Sequence, residues 1–239
     1  MAGVIRSIKS AGVKGKKVLV RADLNVSIDG KGRITDDTRL KESLPTIKFL
    51  LSKGARIILM SHLGRPEGRP VKSLSMDEVG KRLSKLLSRK VKKINHCIGA
   101  AAEKAVGAMR PRDIVLLENL RFHKEEEADD KLFAKKLAAL ADIYVNDAFA
   151  ASHRKHASIH RITSYLPSYA GLLLEKEISE LSSLLEKPKR PFIVILGGAK
   201  VSDKLETIEN LLRIADNVLV GGGMVFTFYR ALGFGIGES

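Results

Sequence analysis

The sequence predicts an α/β protein built on parallel sheet, and two observations predict it. Short β-branched runs alternate with amphipathic, helix-periodic stretches along the whole chain, the pattern of successive βαβ units. Arginines also recur just beyond the C-terminal ends of the strand-like runs. Arg21 closes Val18, Leu19 and Val20, and Arg39 ends the loop that follows. Arg65 comes after 56–60, Arg121 after 114–117 and Arg154 after 143–145. Open parallel sheets bind ligands at the carboxyl ends of their strands, and guanidinium forks match phosphate and carboxylate oxygens two at a time. The arginines therefore predict one anion pocket assembled from loops far apart in sequence.

The elements follow in order. Residues 17–22 read as the first strand, and 39–52 as a helix that Pro45 is expected to kink or to open with an irregular turn. A strand at 56–60 leads to a helix at 76–87, where Ser75 and Glu78 form a capping-box signature. Strands at 93–97, 114–117 and 143–146 alternate with helices at 100–109 and 130–141. The stretch 172–185 has apolar residues at helical spacing, and Pro188 and Pro191 halt it. Strands at 192–196 and 217–220 then alternate with helices at 204–214 and 224–232. This divides the chain into a domain at 1–170, a connecting helix at 171–187, and the start of a second domain at 188–239, with few residues for an independent core.

Composition bounds the function classes. With 239 residues, 44% apolar and 29% charged, the chain fits an ordinary soluble globular protein. No apolar run approaches bilayer length, and the first residues lack both a secretory apolar core and a transit-peptide pattern. Cys97 is the only cysteine, which excludes an internal disulfide and suits a reducing compartment, so the reading is cytoplasmic. Lys and Arg total 42 against 27 for Asp and Glu, an excess of +15 that favours anionic partners. The lysine runs at 14–17 and 90–93 read as solvated faces. Aromatics are only 5% with no tryptophan, which leaves little material for stacking nucleic-acid bases.

At the first strand exit stands Arg21-Ala-Asp-Leu-Asn25, which can grip an anion and a hydroxyl, or equally form a strand-end salt bridge with a turn. Alternation would place Arg21, Asp23 and Asn25 on one side. The second exit, Ser61-His-Leu-Gly-Arg-Pro66, offers a donor in His62, close backbone approach at Gly64 and a fork in Arg65; a plain surface turn is the other reading. Arg121 follows the third strand, and the glutamates at 125–127 read as a solvated helix start. Arg154 follows His153; His156 and His160 lack cysteine or carboxylate at ligand spacing, so no zinc site is expected and no metal ligand is assigned. In the last fifty or so residues, Gly197-Gly-Ala-Lys-Val-Ser-Asp-Lys204 joins a strand to a helix, where glycines, a helix N-terminus and two lysines can neutralise polyphosphate without a Walker motif. Gly221-Gly-Gly223 offers a second loop of close approach, for a flat base or a sugar. Gly233 to Gly237 reads as a loop.

Taken together, these segments resemble the phosphoglycerate kinase family over essentially the whole chain. The carriers are Arg21-Ala-Asp-Leu-Asn25, Asp36-Asp-Thr-Arg39, Ser61-His-Leu-Gly-Arg-Pro66, Leu117-Glu-Asn-Leu-Arg-Phe122, Asn146-Asp-Ala-Phe149 with His153-Arg154, Glu175-Lys-Glu177, Gly197-Gly-Ala-Lys-Val201 with Asp203-Lys204, and Gly221-Gly-Gly-Met224. The resemblance implies a Rossmann-like parallel-sheet domain on the 3-phosphoglycerate side and the first βα units of a second Rossmann-like domain for ATP or ADP with Mg2+. The implied reaction is reversible phosphoryl transfer between 1,3-bisphosphoglycerate and ADP, giving 3-phosphoglycerate and ATP. By motif, Asp23, Asn25, His62, Leu63, Gly64 and Arg65 would hold the triose beside Arg21, with Arg121 and Arg154 on its phosphate. Arg39 would face the transferring phosphoryl group and Lys204 would meet it from the nucleotide side upon hinge closure. Gly197, Gly198 and Lys200 would contact nucleotide phosphates, and Gly221, Gly222 and Gly223 would line the adenine pocket.

The chain departs from the family in length. Family members continue well past Ser239, with a Gly-Gly-Gly-Asp segment whose Asp ligates magnesium; that segment is absent here, so a truncated form with little or no activity alone is the expectation. Two βα units would leave a sheet edge unpaired and helix faces uncovered, so the second domain is expected to be marginal. Ser27 stands where the family usually has proline, which bears on loop rigidity. Two other function classes stay open: a noncatalytic phosphometabolite-binding module, and a basic nucleic-acid-binding protein, which the few aromatics and the lack of a recognition motif disfavour. A monomer is the expected state.

Overall fold

A computed structural model describes residues 5–199, 201–202 and 205–238. The chain divides into two compact units, Met1–Ile178 and Ser179–Ser239.

The first unit holds β1 (Lys17–Ala22), β2 (Ser27–Ile28), β3 (Ile34–Asp36), α1 (Thr38–Ser52), β4 (Arg56–Met60), α2 (Asp77–Leu86), β5 (Val91–Lys93) and α3 (Ala100–Gly107). It continues with β6 (Ile114–Leu116), α4 (Lys124–Glu127), α5 (Lys131–Ala138), β7 (Ile143–Asp147), α6 (Phe149–Ser152) and β8 (Ser168–Ala170). A six-stranded sheet in the order β5-β6-β4-β1-β7-β8 organises the unit. Every pairing in it is parallel, as the alternation of elements predicts. Both faces are covered, which is why its strands are apolar at successive positions. Val18, Val20, Ile57 and Leu59 pack with Leu40, Ile47 and Leu50 of α1 and Val79 and Leu83 of α2. Leu19, Ile58, Val115 and Tyr144 point the other way, onto Ala102 and Val106 of α3 and Phe133 and Leu137 of α5. This alternation is the two-residue period of a strand read out in three dimensions.

Several boundaries differ from the sequence expectation. The strand expected at 93–97 is β5 at Val91–Lys93. Beyond it the chain keeps one ladder bond, Ile94 N–H to the Leu116 carbonyl at 2.9 Å, and then leaves the sheet. Buried Cys97 ends this departure, its Sγ donating to the Glu118 carbonyl at 3.0 Å. The capping box at α2 does not form. The Ser75 hydroxyl instead donates to Glu118 Oε2 at 3.0 Å, while Glu118 Oε1 accepts the Met76 N–H at 2.9 Å. A carboxylate from the β6 exit thus engages Ser75 and the Met76 N–H just ahead of the helix, and Glu78 pairs with Lys81. Pro45 lies inside α1, which continues as helix on both sides of it, and does not mark the first turn. The antiparallel hairpin β2–β3 and the edge strand β8 had no legible sequence pattern, each strand being two or three residues long.

The helix α7 (Leu172–Glu186) runs across the boundary between the units. The second unit contains β9 (Ile193–Gly197), α8 (Leu205–Leu212), β10 (Asn217–Gly221) and α9 (Met224–Ala231), with β9 and β10 paired in parallel. Val194 is buried, as are Ile208 of α8 and Met224 of α9, whereas Ile193, Ile195 and Leu219 are exposed. Among the described residues, no helix is long and apolar enough to cross a membrane.

Candidate functional site

The sheet order explains why four distant loops meet. From β1 the chain builds β4, β5 and β6 on one side, then returns to lay β7 and β8 on the other. Parallel pairing sends the exits of β1, β4, β6 and β7 to one edge of the sheet, and the reversal of strand order beside β1 opens the crevice where α/β proteins take ligands. The register places Arg21 opposite Met60 of β4 and Asn146 of β7.

Arg21 is a buried cation held by three hydrogen bonds. Its Nε donates to Ser158 Oγ at 3.0 Å, its Nη1 to the Ala22 carbonyl at 2.7 Å and its Nη2 to His62 Nδ1 at 3.0 Å. A guanidinium only donates, so His62 Nδ1 accepts and the ring proton sits on Nε2. Burial, with the charges of Arg21, Arg121 and Arg154 and the neighbouring His156, pushes the His62 pKa down to about 2. His62 is a neutral donor at every physiological pH. The other side-chain partner of Arg21, Ser158, leads to Glu126, a fully buried carboxylate that accepts the Ser158 hydroxyl at 2.6 Å and the Ser158 N–H at 3.0 Å. The glutamates at 125–127 do open helix α4, but the solvated reading is wrong for Glu126.

β1 ends at Ala22, so the strand alternation expected through Asn25 gives way to a turn. Val26 N–H donates to the Leu24 carbonyl at 2.9 Å and Asn25 N–H to Asp23 Oδ1 at 3.2 Å. The Leu24 N–H reaches Ser61 Oγ at 3.0 Å, and Asn25 Oδ1 accepts the Gly64 N–H at 2.9 Å, which ties the β1 and β4 exits together. The β2–β3 hairpin, folded around Asp29, delivers the start of α1, where Arg39 ion-pairs with Asp23. The strand-end salt bridge is therefore real, formed by Asp23 with Arg39 rather than with Arg21.

The third exit adds Arg121. Asn119, buried, fixes both loops: its Oδ1 accepts the N–H groups of Leu63 and Arg121 at 3.1 Å each, and its Nδ2 donates to the Leu63 carbonyl at 2.7 Å. Arg121 Nη1 donates to the Gly64 carbonyl at 2.9 Å, whereas Glu127, 3.1 Å from Nε, lies at an angle that leaves Nε without a hydrogen bond. Burial lowers the Arg121 pKa, and the charges of Arg154 and Arg21 add to this while Glu127 opposes it. Arg154 and Arg65 are both exposed; Arg154 joins the group through its charge, and among the described residues no ion pair or hydrogen bond ties the Arg65 side chain to it. Burial holds His156 below the usual imidazole range, with Arg121, Arg154 and Arg21 adding to the effect. The geometry thus gathers Arg21, His62, Leu63, Gly64 and Arg121 by direct contact, Asp23, Asn25 and Arg39 beside them, and Arg154 by its field. Sequence patterns gave no sign of Ser158 and Glu126, which hold the Arg21 side chain, or of Asn119 and Ser61, which hold the loop backbones.

The depressed His62 pKa has a consequence for stability. In the unfolded chain His62 takes a proton below about pH 6.5, whereas in the folded chain it stays neutral until about pH 2. The unfolded state binds more protons in that window, so the stabilisation is complete above pH 6.5 and is lost as pH falls through it. At pH 5 the expected loss from this one ring is about 2 kcal/mol. Urea unfolding of the parent and of His62→Gln at pH 7.5 and pH 5 checks this; a parent no more acid-sensitive than the variant contradicts it.

In the second unit the glycine loops pack on each other. Gly222 has φ +67, and a Cβ there would lie 3.1 Å from the Gly198 carbonyl oxygen; at Gly223 it would lie 3.3 Å from that of Ala199. The Met224 N–H, at the start of α9, donates to the Gly198 carbonyl at 2.8 Å. Close approach of the β9 and β10 exits thus accounts for Gly222 and Gly223, while a Cβ on Gly197 would meet nothing within 4 Å and one on Gly221 only the Leu196 carbonyl oxygen at 4.0 Å. Lys200 and Lys204, expected at polyphosphate, lie outside the described residues, as does Asp203. Among the described residues no group of three or more His, Cys, Asp or Glu could hold a metal ion.

Comparison with known proteins yields one family. The family model described as phosphoglycerate kinase matches residues 8–239. A phosphoglycerate kinase of Dictyoglomus turgidum is 56% identical over 235 residues, covering 98% of this chain and 59% of the relative. That of Synechococcus elongatus is 54% identical, with the same two shares. Among solved structures, phosphoglycerate kinase from Coxiella burnetii superposes with a TM-score of 0.86 at 40% identity, covering 99% of this chain and 59% of that one. The enzyme from Pyrococcus horikoshii OT3 gives 0.85 at 35%, covering 98% and 59%. The chain thus spans about 59% of the length of the relatives it matches.

Proposed function

Because this chain belongs to the phosphoglycerate kinase family, we propose that its first unit binds 3-phosphoglycerate and that it serves reversible phosphoryl transfer between 1,3-bisphosphoglycerate and ADP. One observation carries the substrate assignment: three guanidinium groups crowd a neutral imidazole, and burial, with the charges of Arg154 and Arg21 beside it, lowers the pKa of Arg121. An anion entering there relieves that repulsion. 3-Phosphoglycerate offers a carboxylate and a phosphate to match forked donors, and its hydroxyl suits Asp23 and Asn25.

In this reading Arg121 and Arg154 take the phosphate, with Arg65 at the exposed rim. His62 donates from Nε2, and Arg39, restrained by Asp23, supplies positive charge for the transferring phosphoryl group. Phosphoryl transfer asks a protein chiefly for positioning and neutralisation of the equatorial oxygens, and arginines meet that demand without covalent chemistry. ATP or ADP would lie on the second unit at Gly197, Gly198, Lys200, Lys204 and Gly221 to Gly223. The family uses the nucleotide with Mg2+; among the described residues no group of three or more His, Cys, Asp or Glu is placed to hold the ion. A cytoplasmic monomer is the setting we propose.

The test is calorimetric titration of 3-phosphoglycerate into the chain. Binding is expected in the parent, and Arg65→Ala is expected to weaken it about tenfold with an unchanged Tm, the loss of one exposed charge-assisted contact. In a full-length enzyme, Arg39→Ala is expected to depress phosphoryl-transfer turnover more than affinity, and equal effects on both in steady-state kinetics would contradict that role. Absence of binding in the parent, or binding that salt abolishes and oligonucleotide displaces, would overturn the assignment in favour of a basic nucleic-acid surface.

A further inference from the structure

The anion pocket rests on a chain of hydrogen bonds that runs inward, away from any ligand. Glu126 has no exposed surface, and neither has Ser158. Arg21, buried beside them, needs a counter-charge, and the short path to one leads through a single hydroxyl. The direction of each bond is fixed by chemistry. The Ser158 hydroxyl and the Ser158 N–H each face one Glu126 oxygen, and these bonds with the nearby Arg21 charge favour the carboxylate against burial, which raises its pKa. The single hydroxyl proton of Ser158 is committed to Glu126, so its oxygen can only accept from Arg21 Nε. Arg21 in turn can only donate to His62 Nδ1.

We propose that Glu126 and Ser158 are positioning residues of the anion site: they clamp Arg21, which then locks His62 as the Nε2–H tautomer facing the substrate. This rests on the 3-phosphoglycerate reading for its purpose, but not for its geometry. Without the clamp, Arg21 keeps the Ala22 carbonyl as its one oxygen acceptor, its guanidinium plane is free to turn about that bond, and His62 Nδ1 loses its fixed donor. The ring can then place its proton on either nitrogen, and only one arrangement donates outward. The anchor is itself well held. Tyr144 donates its hydroxyl to the Ser158 carbonyl at 2.8 Å, and the Ala157 N–H reaches the Glu126 carbonyl at 2.8 Å. Ser158 Oγ is thus pinned from the backbone, and removing the hydroxyl alone leaves those contacts in place.

The charged and titratable groups around His62 are Arg21, Arg121, Arg154 and His156, and Glu126 lies beyond Arg21. None of them offers Nδ1 a substitute for Arg21 Nη2 as the described contacts stand. The proposal therefore separates from a purely structural role for Glu126. A structural role predicts lower stability and an unchanged imidazole; a positioning role predicts a changed imidazole in a protein that still folds.

The experiment is nitrogen-15 NMR of the His62 ring in the ligand-free chain, in the parent, Ser158→Ala and Glu126→Gln, followed by titration with 3-phosphoglycerate. The parent is expected to show one tautomer, Nε2 protonated, without titration between pH 5 and 8. Ser158→Ala is expected to show averaging between tautomers and about tenfold weaker binding, the loss of a hydrogen bond to a charged group. Glu126→Gln, which keeps the shape and removes the charge, is expected to move the ring signals the same way and provides the reading should Ser158→Ala fail to fold. A single Nε2–H tautomer and affinity within twofold of the parent in a folded variant would overturn the proposal. Because the ring is read without ligand, tautomer averaging in the variants supports the clamp even where the parent fails to bind 3-phosphoglycerate, a result that instead removes the functional reading above.

Discussion

Arg21→Met is expected to destabilise the chain by roughly 3–5 kcal/mol, the cost of leaving a buried charge without its partner, and to abolish 3-phosphoglycerate binding. Arg21 is 1% exposed, and the carboxylate it answers, Glu126, is 0% exposed. Methionine fills much of the arginine volume, so the loss is mainly electrostatic. With the guanidinium gone, Glu126 keeps its two Ser158 hydrogen bonds but stands as a bare anion in the core. Its pKa, already raised by burial and pulled back by Arg21, is then expected to rise further. Part of the lost stability should therefore return on acidification, as protonation discharges Glu126. Thermal unfolding at two pH values measures this, with an expected fall in Tm of about 10 °C at neutral pH. The double variant Arg21→Met, Glu126→Leu removes both charges and is expected to recover much of the stability while still failing to bind. If Arg21→Met alone is within about 1 kcal/mol of the parent, Arg21 is not the buried counter-ion described here.

That pair of residues marks where the sequence was legible and where it was not. Arg21 announced itself by position, as did Arg121 and Arg154, because a strand exit in a parallel sheet is a place that period and composition can find. The core strands β1 and β4 begin where their β-branched runs do, since burial on both faces forces continuous apolar sequence; β9 and β10 also begin within a residue of theirs, although Ile193, Ile195 and Leu219 are exposed. Glu126 could not be found this way. It lies between Glu125 and Glu127, and only the tertiary fold turns one of the three inward to Ser158, 32 residues further on. Ser158 carries no local signal, being one hydroxyl in a turn, 137 residues from the arginine it serves. The failed capping box has the same cause. Ser75 and Glu78 satisfy the local rule, but Glu118 from another strand exit outcompetes it with two hydrogen bonds. The hairpin β2–β3 escaped because its strands are too short to show a period, and its turn is set by Asp29 through side-chain acceptance of the Lys31 and Arg33 N–H groups. Local rules thus recovered what burial imposes along the chain, and missed what single polar atoms impose across it.

The second large effect is expected at Gly171, a residue with no role in the anion pocket. A Cβ added there would overlap the carboxylate of Asp147 and lie 2.7 Å from the Asp147 Cβ. Asp147 cannot step aside cheaply. It is fully buried, and its Oδ1 accepts the N–H groups of Leu173 at 3.0 Å and Leu174 at 3.2 Å, in the first turn of α7. Those N–H groups have no partner within the helix, and a carboxylate at a helix start also answers the macrodipole. The Gly171 N–H is itself bound to the Asn146 carbonyl at 2.8 Å, so the backbone has little freedom to retreat. Gly171→Ala must therefore expel Asp147 from its cap or distort the junction of β8 with α7. Two hydrogen bonds to a charged acceptor are at risk, and the expected cost is roughly 3 kcal/mol. Urea unfolding should show a lower midpoint with an unchanged slope. Asp147→Ala alone is expected to cost a comparable amount through loss of the cap, yet it clears the space that the new methyl group needs. The double variant should then be little worse than Asp147→Ala, a coupling of about 2 kcal/mol between residues in direct contact. Simple additivity of the two substitutions would show that the glycine is required for some reason other than the carboxylate packed against it.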